Sequence, residues 1–76
     1  MKIKTLSQFL SIAVGDEVTH GGDSYIVTDV GTHFDEAYIE ISDVESGDGI
    51  TTDNKPIEGT EYRMLFSEAK NKLETI

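Results

Sequence analysis

The chain has 76 residues, with 15 Asp and Glu against 6 Lys and Arg, for a formal net charge of -9. That length holds one domain, residues 1–76, with a modest core. The absence of cysteine excludes disulfides and thiolate metal sites and fits a reducing, cytoplasmic compartment. A surface of one sign repels nucleic acid and anionic lipid and favours basic proteins.

The charge is uneven. Thirteen carboxylates lie between Asp16 and Glu61 with Lys55 as the sole cation, whereas Lys2, Lys4, Arg63, Lys70 and Lys72 flank them. The apolar stretch from Phe9 to Val14 is too short for a membrane span.

Thr5 to Ala13 reads as a short helix. Thr5 and Gln8 stand at capping-box spacing, and Leu6, Phe9, Leu10 and Ala13 form one apolar stripe before Gly15. Asp16 to Val30 reads as a hairpin. Its strands, Glu17–Thr19 and Ser24–Val30, flank His20-Gly21-Gly22-Asp23, whose glycines supply the positive φ of a tight turn. Alternation places Ile26, Thr28 and Val30 on one face and Tyr25, Val27 and Asp29 on the other. Gly31 to Glu36 is expected to be a loop holding His33.

Ala37 to Val44 is the clearest strand, with Ala37, Ile39 and Ile41 on one face and Tyr38, Glu40 and Ser42 on the other. Ser46 to Gly59 is polar and rich in glycine, a long loop with room for a brief strand at Ile50–Thr52. Thr60 to Phe66 alternates again, Tyr62, Met64 and Phe66 against Glu61, Arg63 and Leu65. Ser67 is placed to cap a final helix carrying Ala69, Leu73 and Ile76.

The expected fold is α+β: a small antiparallel sheet or SH3-like barrel of four or five strands, with a short N-terminal helix and a C-terminal helix. The segment Val14-Gly15-Asp16-Glu17-Val18, then Gly21-Gly22, then Tyr25 to Val30, resembles the opening hairpin of SH3-like small barrels. The aromatic groove and proline-ligand residues of true SH3 domains are not seen, and such barrels host many functions, so none is carried over.

No catalytic or cofactor signature stands out. His20 and His33, with Asp23, Asp35 and Glu36, lack the spacing of a preorganised metal site. The run from Asp43 to Ile50 departs from the EF-hand pattern at its fifth, sixth and twelfth positions. Asp29, among apolar neighbours, is better read as a rim or turn carboxylate than as a catalytic acid. No cofactor, metal or enzymatic role is therefore expected.

What remains is the anionic face. Outward residues of a strand repeat every ~6.5–7 Å, comparable with the phosphate spacing along a nucleic-acid strand. Glu40, Asp43, Glu45, Asp48 and Asp53 are the expected partner-facing acids, with Tyr38 as aromatic anchor. In type, the chain resembles small virus-encoded inhibitors, which implies a host-cytoplasmic, non-enzymatic protein occupying the basic surface of a nucleic-acid enzyme. The alternatives are a small-ligand- or peptide-binding barrel, with a site between the Ser46–Gly59 loop and the His33 loop, and a subunit of a larger assembly. Either helical stripe offers a seam for a second copy.

Overall fold

The computed structural model describes residues 1–45 and 55–75. In chain order they form α1 (Leu6–Leu10), β1 (Glu17–His20), β2 (Asp23–His33), β3 (Glu36–Glu45), β4 (Lys55–Pro56), β5 (Tyr62–Leu65), α2 (Phe66–Ala69) and β6 (Leu73–Thr75). The strands make an antiparallel sheet in the order β6-β1-β2-β3, and β4 and β5 both pair with β3. The class is α+β, mostly sheet. Among the described residues the sheet stays open, without a pairing that closes a barrel.

Helix α1 starts where the capping box predicts. Gln8 N–H donates to Thr5 Oγ1 at 3.2 Å, and Thr5 N–H donates to Gln8 Oε1 at 3.2 Å. Its apolar stripe differs from expectation. Phe9 and Ile12 are buried, whereas Leu6, Leu10 and Ala13 are exposed. The helix stops at Leu10, and the Ser11 cap turns Ile12 inward. A helix of 5 residues has no stability of its own, so packing on the sheet holds it.

The first hairpin forms as read, with Gly21 and Gly22 at φ 62° and 88°. The second is longer than expected. β2 continues through Gly31 to His33, so the expected loop reduces to Phe34 and Asp35, at φ 50° and 63°. Both central residues of such a turn need positive φ, which Asn-Gly supplies easily and phenylalanine does not. A β-bulge between Val27 and Asp29 shifts the phase of β2. Val27 stands opposite Ile41 and Val30 opposite Ile39, so Val30 joins the face of Val27 rather than that of Ile26.

The core covers one face of the sheet: Val18, Val27, Ala37, Ile39, Ile41, Met64 and Leu73 from strands, with Ile3, Phe9, Ile12 and Ala69. The two helices meet over it, and Phe9 and Phe66 lie 5.5 Å apart at a tilt of 52°.

The expected C-terminal helix is only the 4-residue α2. Asn71 takes a left-handed φ of 65°, which ends the helix, and Leu73 enters β6 beside β1. Ser67 does not cap; its hydroxyl donates to Glu36 Oε1 at 3.0 Å. Met1 to Ile3 run along the other edge of β6: Ile3 N–H donates to Leu73 O and Asn71 N–H to Ile3 O, each at 2.8 Å. The expected strand at Ile50–Thr52 and the stripe position Ile76 lie outside the described residues.

Candidate functional site

The residues singled out from sequence separate into two groups. Tyr38 and Glu40 lie on the face of β3 away from the core, and Glu40 stands directly opposite Arg63 of β5. Arg63 Nη2 donates to Glu40 Oε1 at 3.1 Å, and its guanidinium lies 4.4 Å from the centre of the Tyr38 ring. The far side of Tyr38 lies over Gly31, where a Cβ would come within 2.8 Å of the phenol oxygen. The Tyr38 hydroxyl points at Asp29 Oδ2, 3.5 Å away. Asp29 is exposed. Glu40 therefore meets its counter-charge within the molecule, and the Tyr38 ring is already covered. Glu40, expected to face a partner, and Tyr38, the expected anchor, both contact Arg63 of the same chain.

Ser42, expected to share their outward row, is only 1% exposed, and its Oγ has no hydrogen-bond partner among the described residues. Glu45 ends β3, and Asp48 and Asp53 lie outside the described residues.

Asp43 stands apart. It follows Ile39 and Ile41 in the alternation of β3, at the end of the sheet remote from the Phe34 turn. Its backbone is fixed, because its N–H donates to Thr60 Oγ1 at 3.0 Å and its carbonyl accepts from Ile57 N–H at 2.9 Å. Its carboxylate is exposed and has no hydrogen bond or ion pair among the described residues.

Asp43 pairs across the ladder with Tyr25, and Tyr62 pairs with Ile41. These residues, with His20, Thr60 and Met64, line a groove of about 290 Å³. Ile41 and Met64 are its buried apolar members, while His20, Tyr25, Tyr62 and Asp43 bring the rings and the carboxylate. An open recess of about 720 Å³ shares Tyr25 and Asp43 and adds Glu17, Asp23 and Ser24.

Tyr62 is held by a 2.7 Å hydrogen bond from its hydroxyl to Glu68 Oε2. That bond, then the negative charge of Glu68, raises the Tyr62 phenol above its ordinary value.

The groove was not read from sequence. Tyr25 shares its alternation with Val27, and Tyr62 precedes Met64 by two, so each extends a core row to its open end. That is the signal that could have found it. His33 does not flank it; this residue ends β2 beside Phe34, with ring centres 4.3 Å apart.

Among the described residues no group of three or more His, Asp or Glu converges as a metal site, and no helix is long and apolar enough to cross a membrane. Comparison with protein-family models, curated proteins and solved structures finds no match.

Proposed function

We propose that this chain is a non-enzymatic acidic binding protein that engages a basic surface of a partner protein, of the kind nucleic-acid enzymes carry. The observation that supports it is the exposed Asp43, without an ion pair among the described residues and placed beside Asp23 and the Tyr25 ring at one end of the sheet. The contact centres there rather than on Glu40 and Tyr38, because Arg63 already occupies those two. The type of inhibitor that blocks a nucleic-acid-binding enzyme fits this reading.

The test is affinity capture at low and high salt, with the Asp23→Asn/Asp43→Asn double variant in parallel. Exposed charges are screened over ~10 Å at 0.1 M salt and ~3 Å at 1 M. A basic protein retained at low salt, released at high salt and lost with the double variant is the expected result. A complex indifferent to both would remove the proposal.

A second reading, a peptide-binding SH3-like barrel, draws on the strand order. β6 returns beside β1, β5 lies across β3, and α2 joins them. The groove between Tyr25 and Tyr62 would then be the peptide site. Binding of an uncharged proline-rich peptide, insensitive to salt, would favour it.

A further inference from the structure

We infer that the groove between Tyr25 and Tyr62 takes one arginine side chain of a partner, its guanidinium set against the rings with Asp43 as counter-ion. The inference rests on the reading above, in which this end of the sheet meets a basic protein, and it names the chemical group received.

The molecule displays the same chemistry once already. On the opposite face, the Arg63 guanidinium lies 4.4 Å from the Tyr38 ring centre while Glu40 accepts from it at 3.1 Å. Guanidinium, tyrosine ring and carboxylate form a mutually satisfied set, combining ring stacking with a charge-assisted hydrogen bond. Tyr25, partly buried against the core, and the exposed Asp43 are direct neighbours across the ladder and again set a ring beside a carboxylate.

The rest of the groove suits an alkyl stem ending in a planar cation. Ile41 and Met64 offer apolar contact for methylenes. Among the described residues neither Lys nor Arg lines the groove. Its volume of about 290 Å³ has room for one arginine side chain.

Two supports are fixed before any ligand arrives. The Glu68 bond restrains the Tyr62 ring, and Thr60 is occupied at both ends of its hydroxyl, accepting from Asp43 N–H at 3.0 Å and donating to Ile57 O at 2.7 Å. Thr60 therefore orients Asp43, and Tyr62 keeps an exposed ring. Arginine fits better than lysine because its delocalised plane stacks on rings and is more weakly hydrated than an ammonium.

The experiment uses the intact chain, isotopically labelled, and follows its backbone and tyrosine ring resonances by NMR. Blocked arginine (N-acetyl-arginine methylamide) is titrated in, with blocked citrulline as the neutral near-isostere. Saturable shifts at Tyr25, Asp43 and Tyr62 with arginine, and at least about fivefold weaker binding of citrulline, are the expected result. Asp43→Asn and Tyr25→Leu should each weaken arginine by a similar factor. The first alters an exposed side chain and the second keeps apolar bulk, and the unperturbed amide spectrum of each verifies its fold.

Equal binding of citrulline overturns the inference, as do shifts spread over the whole acidic surface or none at the solubility limit. A salt-sensitive partner captured from lysate while blocked arginine leaves the groove untouched defeats this inference alone. Arginine binding without any such partner defeats only the function proposed above.

Discussion

Phe34 is the most exposed large apolar side chain described, at 91%, and it also holds a left-handed φ of 50°. Neither its burial nor its backbone stabilises the fold. A bulky residue at positive φ costs roughly 1–3 kcal/mol relative to an unstrained one. Replacing Phe34-Asp35 by Asn-Gly should therefore raise the unfolding free energy by about 1 kcal/mol or more, read as a shift of the denaturant midpoint at constant slope. Tyr62 gives a second residue-scale test. The folded state holds its proton more tightly, so the Glu68 bond contributes below the ordinary phenol range. That contribution is lost as pH rises through the elevated folded value. Ultraviolet titration should place Tyr62 above a free tyrosine, and Glu68→Gln should bring it down. Little of this was legible in the sequence. Arg63 and Glu40 lie 23 positions apart, and only the register of β5 on β3 sets them face to face.

At the scale of elements, legibility followed the strength of the local signal. Gly21-Gly22 and the alternating Ala37, Ile39 and Ile41 announce their hairpin and strand, and both are found. The bulge in β2 has no such mark, because Thr28 fits either side of a regular strand. The C-terminal segment misleads for a different reason. Ala69 and Leu73 are both buried, as a helical stripe would have them, but from separate elements joined by the left-handed Asn71. Helical spacing over so few residues does not distinguish the two, and pairing with β1 wins. Helix α1 offers the sharpest energetic test. Its cap and its anchor act on the same five residues, so their removal separates local from tertiary support. Thr5→Ala should cost ~1 kcal/mol, against ~3–5 kcal/mol for Phe9→Ala, measured by chemical denaturation. A Phe9→Ala loss no larger than that of Thr5→Ala would mean that the helix does not help hold the core.

For the whole molecule, the net charge of -9 acts on the chain before any partner arrives. Like charges on a small compact body repel, and the exposed Arg63–Glu40 pair offsets little of that. Raising salt from low to physiological strength should therefore raise the thermal midpoint, while the same salt weakens a basic partner. A fall in the midpoint over that range would place net attraction, not repulsion, among the surface charges. The seam between residues 1–3 and 71–75 bears on how the fold is reached. As the polypeptide leaves the ribosome, β1 and β2 can meet early, but the neighbour that completes β1 is made only after β2 to β5. Vectorial synthesis thus leaves the second edge of β1 and the backbone of Ile3 without their β6 partner until residues 73–75 have emerged.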